Sequence, residues 1–195
     1  MGLKNIKTSC SGLDWDAMTN LLYKLKRDKN YNYFLLIGCG CYFGLRANDF
    51  LNLKWSDVLN KDEIIVVESK TGKSRRITLN FNIKEIIQSA FKEYNRTLNQ
   101  PTDAYLFVNR KGKKVSIQYV NRSLHKIFKT YNIKVQNGST HTLRKTFGKR
   151  VWEMDNKSER SLIYLSEIFS HSNISTTKRY IGIVQKDIEN IYLNL

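Results

Sequence analysis

The chain has 195 residues, 41% hydrophobic and 26% charged, with one proline and 10 glycines; this fits one folded domain with a real core and excludes a disordered or fibrous chain. Its 33 lysines and arginines face only 17 acids, giving a net charge of +16, an excess that repels itself unless a polyanion neutralises it. Nucleic acid is therefore the expected partner, ahead of an anionic membrane surface.

The opening "MGLKNIKTSCSG" holds neither a signal-peptide apolar core nor the hydroxyl residue of a myristoylation site, so a cytoplasmic, nucleoid-associated location is expected. "LDWDAMTNLLYKLKRDK" then repeats apolar residues at Leu13, Trp15, Met18, Leu21, Leu22 and Leu25, close to the helical period, and predicts a first helix. The most apolar run, "YFLLIGCGCYFGL" from Tyr33 to Leu45, is too short to cross a bilayer and reads as a second, buried helix stopped by Gly44. Cys39 and Cys41 within it have no nearby His or third Cys and read as core residues rather than metal ligands. "RANDFLNL" restarts a third helix with Arg46 at its N-terminus. From Trp55 to Leu79 the period changes, and "EIIVVES" and "RRITL" joined by "KTGK" predict a β-hairpin. Further helices are expected at 83–98, 116–130, 141–153, 160–169 and 175–192. The expected fold class is mainly α with a small antiparallel β-hairpin sheet.

Cations cluster in three places. Lys70, Lys73, Arg75 and Arg76 load the hairpin turn; Arg110, Lys111, Lys113 and Lys114 load "NRKGKK"; Arg144, Lys145, Lys149 and Arg150 load one helix. Together they suggest a surface that tracks phosphates. In "HTLRKTF", His141 and Arg144 fall on one helical face, where convergent cationic groups without an obvious carboxylate invite an anion.

In order and in near-family spacing, "GLRANDFLNLKWSDV", a lysine-bearing β-turn, "HTLRKTF" and "FSHSNISTTKRY" resemble the catalytic domain of the tyrosine recombinases, or phage-type integrases, over about residues 13 to 190. The resemblance implies that Arg46 and Arg144 are paired phosphate-binding arginines, Tyr180 the nucleophile, Lys70 the hairpin lysine, His141 and His171 the completing pocket residues, and Asp49 an acidic buttress. It also implies double-stranded DNA as partner and assembly as a tetramer on DNA through the C-terminal helix. Ser170 stands where the family usually has glycine, and Gly182 where a histidine is common. The chain is expected to be a single catalytic domain over 1–195, with a lead segment 1–12, a tail helix 184–195 and no N-terminal core-binding domain.

The chemistry agrees with those roles. Attack on a phosphodiester builds charge on its non-bridging oxygens, which forked guanidiniums meet better than ammoniums. A tyrosine of ordinary pKa about 10 needs a base or cationic surround to attack, and the departing 5′-oxygen needs a proton that a turn lysine can give. Exchange of one phosphoester for another requires neither metal nor cofactor, and none is expected. The expected activity is site-specific DNA strand exchange through a 3′-phosphotyrosyl intermediate; the alternatives are nicking and resealing of the type IB topoisomerase kind, or a non-catalytic DNA-binding accessory protein of the same fold.

Overall fold

A computed structural model describes residues 10–98, 101–109, 111–183 and 192–194. The apolar stripe of the first helix, α1 (Trp15–Arg27), buries Met18, Leu21, Leu22 and Leu25 against α2 (Tyr31–Phe43), whose residues 34–41 are all buried. A helix apolar all round must be wrapped on all sides, and α2 is packed by α1, by α5 (Phe81–Leu98) and by α7 (Thr140–Met154). Cys39 and Cys41 lie inside it as free thiols, their pKa values pushed up by burial.

Arg46 is the N-cap of a short α3 (Ala47–Phe50). The region expected to turn β-like at Trp55 begins instead with another helical turn, α4 (Trp55–Val58). Asp57 explains the difference: its Oδ2 accepts a hydrogen bond from the Lys54 N–H at 2.7 Å, which starts the turn locally. The buried Trp55 ring meets Phe91 and Tyr94 of α5 at centroid distances of 5.1 and 5.6 Å. The hairpin follows as β1 (Glu63–Val67) and β2 (Ser74–Thr78), antiparallel and in register from Glu63 opposite Thr78 to Val67 opposite Ser74. Ile64 and Val66 face inward while Ile65 and Val67 face out. The turn closes through Glu68, whose N–H donates to Lys73 O at 2.9 Å and whose carbonyl accepts from Gly72 N at 2.8 Å.

The remaining helices are α6 (Ile117–Thr130), α7, α8 (Glu159–Phe169) and α9 (Ile174–Ile181). Ser116, Ser158 and Asn173 cap α6, α8 and α9 by accepting N–H groups of their first turns, the usual device for orphan helix donors. The expected continuous helix 175–192 is broken, because α9 stops at Gly182, which has φ +83. The expected tail helix falls largely on 184–191, outside the described residues. No described helix is long and apolar enough to cross a membrane.

Two close approaches bring α7 to the end of α2. A Cβ on Gly40 would lie 2.5 Å from Leu143, and one on Gly44 would lie 2.4 Å from the Phe147 ring. Gly44 also holds φ +56, a left-handed backbone that other residues adopt at a cost. Gly44→Ala is accordingly expected to destabilise the fold by about 2–4 kcal/mol, combining left-handed strain with overpacking. Gly72→Ala has φ +67 but open space around it, and should lose only the strain. Urea unfolding of both variants measures this; equal losses would show that the Phe147 contact does not constrain the site.

Candidate active site

The C-terminal end of α8 organises the site. Helix ends leave carbonyls without intrahelical partners and carry partial negative charge, and here the partners are arginines. Phe169 O accepts from Arg46 Nη2 at 2.9 Å and from Arg144 Nη2 at 3.1 Å. Ile168 O accepts from Arg75 Nη1 at 3.2 Å. The same side chains reach the end of α2, Arg144 Nη1 donating to Gly44 O at 2.7 Å and Arg75 Nη2 to Phe43 O at 3.0 Å. Arg144 also stacks over the Phe169 ring at 4.3 Å.

Arg75 thus corrects the expectation that it belongs to the DNA-facing basic surface. In β2 it shares the inward phase with Ile77, and its side chain is 15% exposed and turned onto helix-end carbonyls. Burial lowers its pKa against the pull of Glu68. Of the other surface cations, Lys73, Arg76, Lys111, Lys113 and Lys114 are exposed, although Arg76 pairs with Glu63 at 3.6 Å and Lys114 donates to Asn52 at 2.6 Å. Arg110 lies outside the described residues. Lys145 is half-buried, donating to Cys10 O at 2.7 Å while its ammonium lies 5.2 Å from the Tyr180 ring centroid. Lys149 is taken up by Asp14 and Glu153.

Arg46, Lys70, His141, Arg144, His171 and Tyr180 line a single open cleft of about 390 Å³, together with Asn48, Asn121, Thr140 and Ser170. Four separate stretches deliver them. Arg46 comes from the start of α3 and Lys70 from the hairpin turn. His141 and Arg144 come from the first turns of α7, where Asn121 Oδ1 accepts the Thr140 N–H at 2.9 Å. His171 precedes α9 and Tyr180 lies in its last turn, their rings in edge contact at 5.3 Å. His171 Nδ1 lies 2.9 Å from the buried Thr177 hydroxyl, which fixes the ring.

The electrostatics are those of a site short of anions. Burial lowers the Arg144 pKa to about 10, opposed by Tyr180 and reinforced by Arg46 and Arg75; it remains a cation at neutral pH. Burial, then neighbouring cations, lowers the pKa values of His141 and His171, so both imidazoles are neutral near pH 7. Burial pushes Tyr180 up to about 12 against the charge of Arg144, and its hydroxyl is buried without a hydrogen-bond partner among the described residues. The tyrosine is therefore held as a neutral phenol.

Asp49 is buried, as a buttress should be, but acts on the hairpin. Its Oδ1 accepts from Ser69 N at 2.9 Å and Ser69 Oγ at 2.7 Å, pinning the residue before Lys70. The acid that meets Arg46 is Glu68, absent from the expected site: its Oε2 accepts from Arg46 Nη1 at 2.6 Å. The missed signal is the strand alternation, in which Glu68 continues the buried phase of Ile64 and Val66. A carboxylate in that phase calls for a cationic partner.

Residues 13–186 match the phage integrase family. The chain is 37% identical over 164 residues to the probable integrase/recombinase YoeC of Bacillus subtilis, covering 84% of this chain and 81% of that protein. It is 28% identical over 168 residues to the tyrosine recombinase XerH of Campylobacter jejuni, covering 85% of this chain but 44% of XerH, so it spans less than half the length of that relative. In fold it is similar to a XerH site-specific recombinase solved in a post-cleavage complex with palindromic difH substrate, with a TM-score of 0.70, 20% identity, and coverage of 98% of this chain and 57% of that one. With a family match running through nearly all of the described elements and a relative alike over most of both chains, this protein belongs to the phage integrase family.

Proposed function

We propose that this chain carries out site-specific DNA strand exchange, Tyr180 serving as the nucleophile that forms a 3′-phosphotyrosyl bond. The observation that carries the reading is the convergence of Arg46, Lys70, His141, Arg144, His171 and Tyr180 on one cleft in a protein of +16 net charge. Each arginine spends two N–H groups on protein acceptors, and a guanidinium has five. The remainder are available to the non-bridging oxygens of a phosphodiester, in a site whose cations outnumber the one carboxylate, Glu68, that pairs with them.

In the forward step the Tyr180 oxygen bonds to phosphorus and the bond from phosphorus to the 5′-oxygen breaks. The phenol proton passes to a neutral imidazole; with Nδ1–H donating to Thr177, His171 Nε2 is free to accept it. The departing 5′-oxygen takes a proton from Lys70, and attack by a 5′-hydroxyl on the phosphotyrosyl ester reverses these transfers. No cofactor is needed for this balance. Attack requires the buried Tyr180 hydroxyl to meet a phosphate held beside Arg144, the cation nearest it in charge effect. Exposed Lys73, Arg76, Lys111, Lys113 and Lys114 would contact the duplex backbone, and assembly of several copies on DNA belongs to the same reading.

The test is incubation with nicked suicide DNA carrying candidate sites, followed by denaturing electrophoresis. Wild-type protein should form a covalent adduct, and Tyr180→Phe should form none while binding DNA nearly as well. An adduct with the Phe variant would sink the nucleophile assignment; binding without any adduct from wild type would favour the accessory-protein alternative. For Lys70, the 5′-thio substrate is decisive, because a thiol of ordinary pKa about 8.5 yields a far better leaving group than an alkoxide. Lys70→Ala should fail on ordinary DNA and recover most of its cleavage rate on the thio substrate. No recovery, or recovery by Lys73→Ala instead, would remove Lys70 as the general acid.

A further inference from the structure

We infer that Glu68 is a positioning residue that sets Arg46, the Lys70 turn and the His171 segment from a single carboxylate oxygen, a role that rests on the strand-exchange reading of the site. Glu68 is 2% exposed. Its Oε2 accepts three hydrogen bonds: from Arg46 Nη1 at 2.6 Å, from Thr71 Oγ1 at 3.1 Å and from Ser170 Oγ at 3.2 Å. Each donor belongs to a different part of the cleft. Arg46 is a cleft cation itself, Thr71 adjoins Lys70 in the turn, and Ser170 adjoins His171.

The backbone of Glu68 serves the same end. Its carbonyl accepts from Thr71 N at 3.2 Å and Gly72 N at 2.8 Å, so both its main chain and its side chain hold the turn that presents Lys70. On the other wall, Ser170 has φ 52, a left-handed conformation unfavourable for a residue with a Cβ. Its hydroxyl bond to Glu68 at 3.2 Å offsets that strain. Oε1 makes no hydrogen bond among the described residues and faces the Arg75 guanidinium at 3.9 Å.

Stability alone does not call for this arrangement. Buried ion pairs are commonly replaced by apolar groups at little or no cost, and the surrounding strand positions Ile64 and Val66 are apolar. A geometrically demanding hub does call for it, because only an ionised carboxylate oxygen accepts three donors strongly. Burial opposes ionisation of Glu68, but Arg46 and the two hydroxyls outweigh it and hold its carboxyl below the ordinary glutamate value.

The experiment combines cleavage and spectroscopy on the full chain. Glu68→Gln should slow single-turnover cleavage of suicide DNA at saturating concentration by about 10²-fold, the scale of a misplacement near 1 Å, with the DNA Kd within about threefold of wild type, since the cationic surface is untouched. In an Arg46→Ala background the same substitution should cost clearly less than its roughly 10²-fold in wild type, because the part of the loss that acts through Arg46 is already gone while the parts through the Lys70 turn and Ser170 remain. Multiplying losses would overturn the inference. Arginine side-chain NMR reads the role without cleavage: resolved Nη–H signals of Arg46, assigned by their loss in Arg46→Lys, should disappear in Glu68→Gln while those of Arg144 persist. Retention of the Arg46 signals would also overturn it. Absence of any adduct from wild type would defeat the strand-exchange reading while the spectra still decide on Glu68. Should Glu68→Gln not fold, Glu68→Asp, which keeps the charge but shortens the reach, carries the same comparisons with the same expected pattern.

Discussion

The carbonyl of Phe169 is the acceptor around which this site is assembled. It ends α8, where backbone acceptors have no helical partner, and it binds Arg46 and Arg144 at once. Those residues are separated by nearly a hundred positions in sequence, so their meeting depends on packing that brings α2, α7 and α8 to one point. Gly40 and Gly44 permit that approach, and Arg75 braces it by joining the ends of α2 and α8. Downstream of the same carbonyl, the left-handed turn at Ser170 redirects the chain so that His171 and α9 face the cleft. Displacing the end of α8 would therefore move Arg46, Arg144 and Tyr180 together.

Such proximity has an electrostatic cost that the fold only partly offsets. Two guanidiniums sharing one acceptor repel each other, the more strongly the less water screens them. Glu68 and the helix-end carbonyls compensate the arginines in part, and Asp49 adds its negative charge from beneath the turn. The remaining shortage of negative charge is what makes the cleft receptive to phosphate. Together with burial, the larger cause, it keeps both histidines neutral, since their protonated forms would crowd the same cations. Tyr180 sits beside these cations as a buried phenol, its pKa pushed up to about 12.

Much of this was legible in the residues. Helical periodicity marked α1, the all-apolar run marked α2 as buried, and the glycine turn marked the hairpin. The ordered polar motifs, through their resemblance to a known family, named the six side chains that line the cleft. Local hydrogen bonding escaped the pattern: the α4 turn depends on Asp57 reaching the Lys54 N–H, and Gly182 breaks a helix whose apolar spacing runs on. Arg75 and Glu68 were hidden for a related reason. Counting charges treats every cation in "SKTGKSRR" alike, whereas strand alternation sends Arg75 inward and Arg76 outward, and Lys73 lies exposed in the turn. Read with that alternation, a buried-phase glutamate diagonal to a buried-phase arginine, which itself pairs with Val66, would have pointed to an internal ion pair. The shared Phe169 carbonyl had no side-chain signature, because backbone acceptors are invisible to motif spacing.

In the proposed strand exchange, helix-end carbonyls pre-aim guanidinium forks at a phosphodiester, and the cleft does more than collect positive charge. Single-turnover cleavage by Arg144→Lys tests it most directly, since the substitution keeps the charge and removes the fork. The account predicts a loss on the order of 10²- to 10³-fold, the scale for removing one stabilising donor from a transition state, with DNA affinity changed only a few-fold. Cleavage by Arg144→Lys at the wild-type rate would contradict it.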